Sequence, residues 1–357
     1  MTKRTGGSAS RKAVRMFATA VPGLSPLVNR ELAALPGVTV EGSGFDGRSD
    51  VAVFEAAPGS RGAVLALGLT EDVFVEVGRT LRAEGDRAAW IAGRIWRPER
   101  VQRALAVWAD EVRPLSGSMT FRVIARVRQE RSFLRTELRQ RLTETIKRNR
   151  PSWRVADPAQ IELWITEYAP GRFVAGLRLS DATMRQHDGR LVERAGALRP
   201  TVAAAMVRLA GAASGVLVDP CCGSGTILGE AVAAGWSAKG RDIDPEAVTA
   251  ARRNVPGAEV RVGDARALEL GDATVGACVS NLPFGQRYGV HGDMDAWLRS
   301  VLGEVVRVTR PGGKVVLLAP AVPRSVVPDR LRLRDRFPIR LLGTKTTIWG
   351  YDRTDGP

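Results

Sequence analysis

One stretch of the sequence constrains the fold more than any other. It runs Val216-Leu-Val-Asp-Pro-Cys-Cys-Gly-Ser-Gly-Thr226, which combines a short apolar strand, a glycine-rich turn and the start of a helix. Strand and helix patterns alternate after it, and alternation of this kind builds a parallel sheet with helices on both faces. The sequence therefore predicts a Rossmann-like, doubly wound α/β domain over residues 201–357. Two late strands around Gly343 predict an antiparallel hairpin at the edge of its sheet.

The glycine-rich turn predicts a ligand of nucleotide shape, because glycine lets the backbone approach a ligand and a helix N-terminus lies behind it. A dinucleotide fingerprint needs a third glycine, but Leu228 occupies that position, so NAD is disfavoured. Asp219, four residues before Gly223, would repel a pyrophosphate but suits the ammonium group of a methionyl moiety. The pattern therefore predicts an S-adenosyl-L-methionine site.

Two further acids follow the next two predicted strands. Asp242 ends the first of them, where a carboxylate can accept from both ribose hydroxyls, and Asp264 follows the second, where it could accept from the adenine amine. Each acid alone could be a helix cap, but their order along the chain favours a cofactor site. The predicted cofactor-binding residues are Asp219, Gly223, Gly225, Asp242, Asp264 and Asn281.

A second motif, Ser280-Asn-Leu-Pro-Phe-Gly285, ends the fourth predicted strand and predicts the site of the methyl acceptor. The side-chain oxygen of Asn281 and the main-chain carbonyl of Leu282 can hold the two hydrogens of an exocyclic amine, while Pro283 shapes the turn. Phe284 can stack on the base. We expect catalysis by orientation and proximity without a covalent intermediate. The predicted catalytic residues are Asn281, Pro283 and Phe284.

Cysteine and histidine are scarce, which limits the possible chemistry. The chain has three cysteines, two of them adjacent, so a reducing cytoplasm is expected rather than a disulfide framework. Cys221 and Cys222 are predicted to be packing residues, and the acceptor motif lacks the thiolate that methylation of a pyrimidine carbon needs. With two histidines, no metal site is predicted. No signal peptide or membrane span is expected.

The chain is strongly basic, with 53 Lys and Arg against 38 Asp and Glu and a net charge of +15. This charge favours a polyanionic partner, although codon bias towards arginine could also produce it. Position argues for a partner, because eleven basic residues and only three acids lie between Arg122 and Arg154. A merely solvated helix face is the alternative. The predicted RNA-binding residues are Arg122, Arg126, Arg128, Arg131, Arg135, Arg139, Lys147 and Arg148.

The first half of the chain predicts two smaller modules. Residues 16–80 follow the order strand, helix, strand, strand, helix, strand, which is typical of a ferredoxin-like domain. Residues 81–180 predict a second small α/β module that carries the basic helix. Residues 1–15 are predicted to be a disordered basic tail and residues 181–200 a linker.

The third region resembles Rossmann-like class I methyltransferases, and the chain from about Met16 to Tyr351 resembles the THUMP-domain RNA guanine methyltransferases. The resemblance implies that the ferredoxin-like domain and a THUMP domain at 81–180 hold tRNA. It also implies that Asn281, Pro283 and Phe284 form the base pocket and that the predicted acids and glycines bind the cofactor. The residues that carry it are Phe17-Ala-Thr-Ala-Val-Pro-Gly-Leu24, Asn29-Arg-Glu-Leu32, Ala197-Leu-Arg-Pro-Thr-Val-Ala-Ala204 and Asp219-Pro-Cys-Cys-Gly-Ser-Gly-Thr-Ile227.

Together these features predict an enzyme that methylates the exocyclic 2-amino group of a guanosine in tRNA, with the acceptor stem as the expected region. The same chemistry on large-subunit ribosomal RNA or on an adenine amine stays open. A non-catalytic RNA-binding factor with a degenerate methyltransferase fold is a further alternative, against which the intact motifs weigh. Neither a membrane nor an obligatory protein partner is predicted.

Overall fold

The structure, a computed structural model, divides into two compact units, Met1–Met184 and Arg185–Pro357. Among the residues that it describes, no helix is both long and apolar enough to cross a membrane. The described residues are 12–80, 87–128, 131–181, 183–187, 192, 197–283, 293–341 and 343–355.

The first unit begins with the predicted order of strand, helix, strand, strand, helix, strand. Its strands are neighbours in the order β2-β3-β1-β4 and pair antiparallel. The first strand starts inside the predicted tail 1–15, of which residues 1–11 lie outside the described part. The elements are β1 (Val14–Ala20), α1 (Ser25–Ala34), β2 (Val38–Phe45), β3 (Asp50–Ala56), α2 (Arg61–Leu65) and β4 (Asp72–Thr80).

The second half of this unit continues the same sheet. Its last strand pairs antiparallel with β4, so eight strands follow the order β2-β3-β1-β4-β8-β7-β5-β6. The two modules predicted from the sequence therefore share one sheet. The elements are α3 (Ala88–Ile95), α4 (Pro98–Glu111), β5 (Thr120–Arg126), α5 (Arg135–Asn149), β6 (Arg154–Val155), β7 (Ile161–Ala169) and β8 (Arg172–Arg178).

Residues 90–112, which the sequence predicts to be helical, contain two helices. Pro98 has no N–H to continue α3 and instead begins α4. The sequence also predicts an apolar stripe along α5 from Leu134 through Leu138 and Leu142 to Ile146. Its first member is wrong, because Leu134 is the N-cap residue of the helix and is 74% exposed. The rest of the stripe, Leu138, Leu142 and Ile146, is buried as predicted.

Strands β2 and β7 of this sheet meet although they are not neighbours in it. A Cβ at Gly44 of β2 would lie 2.1 Å from the carbonyl oxygen of Tyr168 in β7, so only glycine fits there. Asp46, just after β2, is buried and accepts from the Thr166 hydroxyl at 3.1 Å and from Arg126 Nη1 at 2.9 Å. The sheet therefore curls until β2, the first strand in its order, contacts β7, the sixth.

The second unit contains the predicted doubly wound sheet. Its seven strands follow the order β11-β10-β9-β12-β13-β15-β14, and the strands up to β13 pair in parallel. The short helix α6 lies across the boundary between the two units. The elements are α6 (Thr183–Gln186), α7 (Pro200–Leu209), β9 (Val216–Asp219), α8 (Thr226–Ala233), β10 (Ser237–Asp242), α9 (Pro245–Asn254), β11 (Glu259–Val262), β12 (Val275–Asn281), α10 (Met294–Val308), β13 (Thr309–Ala319), β14 (Leu331–Leu341) and β15 (Thr344–Arg353).

The predicted antiparallel hairpin is present at the edge of this sheet, with β15 pairing to both β13 and β14. Its first strand, β14, has 11 residues. Pro338 lies within it, and proline is tolerated there because β14 is an edge strand whose outer side has no hydrogen-bonding partner in the sheet. Phe337 and Ile339 are buried on either side of the proline.

Candidate active site at the carboxyl edge of the second sheet

Three of the predicted site residues end three neighbouring strands. Asp219 is the last residue of β9, Asp242 of β10 and Asn281 of β12. These strands are adjacent and parallel, in the order β10-β9-β12. Since parallel strands end at the same edge of a sheet, the three side chains come together at its carboxyl edge, where α/β proteins bind ligands.

The glycine-rich turn after β9 has the backbone conformation that its sequence predicts. Gly223 has φ +53° and Gly225 has φ +88°, which is the left-handed region that glycine adopts most readily. A Cβ at Gly225 would also lie 3.2 Å from Cβ of Ala251. The space around Gly223 is open, with nothing within 4 Å of an added Cβ. The turn therefore presents bare backbone ahead of α8.

Asp242 fixes the shape of this turn. Its Oδ2 accepts from the backbone N–H of Gly223 at 2.8 Å, and its Oδ1 accepts from that of Asp244 at 3.0 Å. A carboxylate offers about four lone-pair positions, so about two stay available for donors from a ligand. Directly after it, Ile243 is 72% exposed and adds an apolar surface beside the turn.

Asp219 is a buried acid, with an exposure of 1%. Its Oδ1 accepts from the Ser280 hydroxyl at 2.7 Å and from the Cys221 N–H at 3.1 Å. Burial raises the pKa of Asp219 to about 7, although these two hydrogen bonds lower it and the nearby charge of Asp242 raises it further. The carboxyl therefore loses its proton near neutral pH, unless a cation stabilises the ionised form.

Asn281 directly follows Ser280, the residue whose hydroxyl donates to Asp219. Within the described residues its side-chain amide has no hydrogen-bond partner, so its oxygen can accept from a substrate. Leu282 is buried in the core beneath, and its N–H donates to the carbonyl oxygen of Leu318 at 3.2 Å. Pro283 follows at the edge, half-buried. Phe284, the predicted stacking residue, lies outside the described residues.

Asp264 lies after β11, as predicted, but its carboxylate already has a partner. Arg266 Nε lies 3.1 and 3.0 Å from its two oxygens, and Arg266 Nη2 donates to Oδ2 at 2.6 Å. This side-chain hydrogen bonding holds the pKa of Asp264 below its ordinary value. Asp264 is thus an ionised acid whose charge is largely balanced within the chain.

The cysteines near the site are poor nucleophiles. Cys222 and Cys278 are buried and Cys221 is half-buried. Burial raises the pKa of all three thiols above the ordinary value, and the neighbouring charge of Asp219 raises it further. Thiolates are disfavoured here, in agreement with the predicted packing role.

Sequence reasoning missed two residues that tie the site together. Ser280 joins the acceptor motif to Asp219 through the hydrogen bond described above, and it is fully buried. Asn254, at the end of α9, donates to the carbonyl oxygens of Ser224 and Val192 at 2.9 Å and accepts from Val192 N at 2.8 Å. A polar residue at a helix terminus usually looks like a cap, so the sequence held no signal for this role.

Two of the predicted RNA-binding arginines are engaged inside the first unit. Arg126 pairs with the buried Asp46, as described above, and its guanidinium lies 4.5 Å from the ring centroid of Trp164. Arg131 pairs with Glu167, which is completely buried. A buried carboxylate needs such compensation. These two arginines therefore stabilise the curled sheet.

Of the other predicted RNA-binding residues, one pairs with acids of the chain and five are exposed. Arg122 pairs with Asp157 and, at 2.6 Å, with Glu162. Arg128 is exposed, with its guanidinium 5.8 Å from the ring centroid of Phe45. The remaining four predicted residues lie on α5 and are exposed, and none of them pairs with a carboxylate within the described part of the chain. These four are Arg135, Arg139, Lys147 and Arg148.

The parallel sheet, the left-handed glycine turn and the row of strand-ending acids define the second unit as a Rossmann-like methyltransferase domain. Residues 188–334 match the family described as UPF0020, RMKL-like, methyltransferase domain.

The curated proteins that are similar to this chain include two tRNA methyltransferases. The tRNA (guanine(10)-N2)-dimethyltransferase of Methanothermobacter thermautotrophicus is 32% identical over 43% of this chain and 48% of its own length. The chain thus spans about half of that relative. The tRNA (guanine(6)-N2)-methyltransferase of Thermus thermophilus is 29% identical over 89% of this chain and 93% of its own.

Among solved structures, TrmN from Thermus thermophilus has a TM-score of 0.74 at 24% identity. The match covers 96% of this chain and 100% of that one. It confirms the predicted fold across both units.

Proposed function

We propose that this chain is an S-adenosyl-L-methionine-dependent RNA methyltransferase that acts on the exocyclic 2-amino group of a guanosine in tRNA, with the acceptor stem as the target region. The observation that carries the proposal is the alignment of Asp219, Asp242 and Asn281 at the ends of three adjacent strands. Acids suited to the cofactor thereby lie beside an amide suited to an amine acceptor. The names of both relatives, which are guanine-N2 enzymes of tRNA, support the choice of substrate.

The residues at the edge fit S-adenosyl-L-methionine. Both hydrogen bonds to Asp219 go to Oδ1, which leaves Oδ2 for an ammonium group, and the open space at Gly223 admits a ligand against the backbone. Asp242 would accept from the ribose hydroxyls, and the exposed Ile243 would contact the adenine ring. Asp264 would accept from the adenine amine by exchanging it for one of the N–H groups of Arg266, which donate to both of its oxygens. When bound, the cofactor supplies an electrophilic methyl group.

The acceptor motif would orient the base. Asn281 Oδ1 would accept one N–H of the 2-amino group and the Leu282 carbonyl oxygen the other, which turns the nitrogen lone pair towards the methyl donor. Pro283 restricts the backbone of this turn, and Leu282 anchors it in the core. Most of the acceleration would come from this positioning. Ser280 would transmit the position of Asp219 to Asn281 through its hydrogen bond.

The first unit would bind the RNA through exposed cations. Arg135, Arg139, Lys147 and Arg148 project from α5 without carboxylate partners among the described residues, as a phosphate-binding surface requires. We further propose a cytoplasmic protein, which agrees with three cysteines that are all free.

Mass spectrometry of tRNA nucleosides from cells with and without the gene tests the proposal. We expect N2-methylguanosine to be lost at one position, and unchanged levels would refute the tRNA assignment. Transfer of radiolabelled methyl to purified tRNA and ribosomal RNA separates the two RNA substrates. A non-catalytic factor would show no binding of S-adenosyl-L-methionine in calorimetry.

The role of Asn281 has its own test. Asn281→Ala should abolish methyl transfer and leave tRNA affinity unchanged, because the lost group contacts only the target base. Asn281→Asp, which keeps an acceptor oxygen, is the matched control and should retain part of the activity. Equal loss of transfer and of tRNA affinity in Asn281→Ala would contradict the assigned role.

A further inference from the structure

The hairpin at the edge of the second sheet carries three cations on one face. In the register of β14 and β15, Arg336 lies opposite Trp349 and Arg340 lies opposite Lys345. Alternate residues of a strand point to the same face, so Arg336, Arg340, Lys345 and Trp349 share a face. We call Arg336, Arg340 and Lys345 the hairpin cations. All three are exposed.

These cations are not neutralised within the described part of the chain. None of the three has a carboxylate within ion-pair distance there. At the other end of the hairpin the charges are compensated, since Arg334 pairs with Asp335 at 2.6 Å and with Asp352 at 3.2 Å. The positive charge is therefore concentrated at one end of the hairpin.

Arg340 and Lys345 form a directly opposed pair of like charges. Such a cross-strand pair destabilises an antiparallel sheet, and an opposite charge at either position would be favourable. An anion bound between the two cations would relieve their repulsion, so the pair favours anion binding. The pair thus points to an anionic ligand rather than to a structural role.

A hydrogen bond ties the hairpin to the end of β13, beside the active-site edge. The Trp349 indole N–H donates to the carbonyl oxygen of Ala319, the last residue of β13, at 3.1 Å. Arg336 lies over the Trp349 ring, 4.9 Å from its centroid. This stacking restricts the guanidinium without consuming its N–H donors.

The register also gives the distance from the acceptor motif. Asn281 pairs with Leu318 of β13, which pairs with Ile348 of β15. Two strand spacings of about 4.8 Å and three residues of about 3.3 Å separate Asn281 from Lys345, which places their backbones roughly 14 Å apart. Since β13 ends opposite Thr347, Lys345 projects beyond the carboxyl edge.

We propose that the hairpin cations bind the RNA phosphates that adjoin the target nucleotide, as a second RNA contact on the catalytic unit itself. The inference rests on the proposed function, because RNA is then the anion that must reach this edge. An extended RNA strand carries one negative charge per nucleotide, which matches a row of spaced cations that each carry several N–H donors. An acidic protein segment is the other possible occupant, and the experiment includes it.

The test uses the full chain with Arg340→Ala and Lys345→Ala combined. We expect weaker binding of a tRNA transcript and a log–log salt slope reduced by about 0.7–0.9 for each lost phosphate contact. The KM for tRNA should rise, while affinity for S-adenosyl-L-methionine stays unchanged. Thermal stability should be equal or higher, since a repulsive pair has been removed.

Two controls make the result specific. The charge exchange Arg340→Lys with Lys345→Arg should behave as wild type. Arg332→Ala removes a cation from the far end of the same strand and should leave the KM for tRNA unchanged. An unchanged salt slope in the double variant would overturn the inference. A second contrary result would be a poly-glutamate peptide that binds the wild-type chain but not the double variant, while both bind tRNA equally well; the site would then belong to an acidic protein segment. Failure of the proposed function would appear separately, as absence of transfer by the wild-type chain.

Discussion

Replacement of Asp219 by asparagine should stabilise the second unit while weakening its affinity for S-adenosyl-L-methionine. The acid is buried and its two hydrogen bonds come from Ser280 and from the Cys221 N–H. Asparagine has the same shape and can accept both bonds through its oxygen, but it never ionises. The variant therefore removes the burial of a charge and little else.

The size of the effect follows from the pKa, which burial raises from its ordinary 3.8 to about 7. Between these values the carboxyl is protonated in the folded chain and ionised in the unfolded chain. The free energy of unfolding therefore falls by about 1.4 kcal/mol for each pH unit in this window. Above pH 7 the carboxyl is ionised in both states, and the free energy of unfolding has by then fallen by about 4 kcal/mol. The advantage of the variant should thus be larger at pH 8 than at pH 5 by about 3 kcal/mol.

Cysteine labelling measures the unfolding of the second unit alone. All three cysteines of the chain, Cys221, Cys222 and Cys278, lie in this unit. A pulse of dithiodipyridine across a urea series therefore reports its unfolding even if the first unit melts separately. Wild type and variant are compared at pH 5 and pH 8, without cofactor.

Asp264→Asn is the matched control, because hydrogen bonding by Arg266 holds the pKa of Asp264 below its ordinary value. That acid contributes stability above its ordinary pKa and loses it only in more acidic solution. Its variant should show the same difference from wild type at pH 5 and at pH 8. An equally flat difference for Asp219→Asn would refute the reasoning about burial.

Three further outcomes are expected. Arg135→Glu combined with Arg139→Glu should weaken tRNA binding and flatten its salt dependence by about 0.7–0.9 per lost phosphate contact, and an unchanged slope in filter binding would mean that α5 is only a solvated face. Gly225→Ala should cost about 1–2 kcal/mol from its positive φ alone and lower cofactor affinity in calorimetry, whereas unchanged affinity would show that the turn does not contact the ligand. Asp46→Ala should destabilise the first unit by about 3 kcal/mol, since it leaves Arg126 without its buried partner. The assay is denaturant unfolding followed by tryptophan fluorescence, and an unchanged midpoint would contradict the stabilising role of the Asp46–Arg126 pair.

Most of the second unit could be predicted because its signals are local. The turn around Gly223 and Gly225 needs positive φ, and Asp244 before Pro245 is a local signal for the start of α9. The ends of strands could be placed from the acids and the Asn281 motif. Proximity of these residues then followed from the topology of a parallel sheet, without knowledge of any contact.

What the sequence could not show depends on contacts between distant segments. Arg126 looks like any basic residue of a charged region until its strand is placed beside Asp46, some eighty positions earlier. The hydrogen bonds of Ser280 and Asn254 likewise depend on pairing of separate strands and helices. Charge counts predict a surface, but only tertiary structure distinguishes an arginine that balances a buried acid from one that is free for RNA.

The pairing of β4 with β8 determines when the sheet of the first unit can be completed during synthesis. The two strands lie about a hundred residues apart in the chain, yet β4 finds its second neighbour only in β8. At translation rates of about 5–20 residues per second, roughly 5–20 seconds pass before β8 follows β4 out of the ribosome. During that interval the nascent chain presents an open strand edge, which is a site for misassociation with other chains. Ribosomes that pause before residue 172 would extend this exposure, so synonymous codon changes in that segment should alter the yield of folded protein.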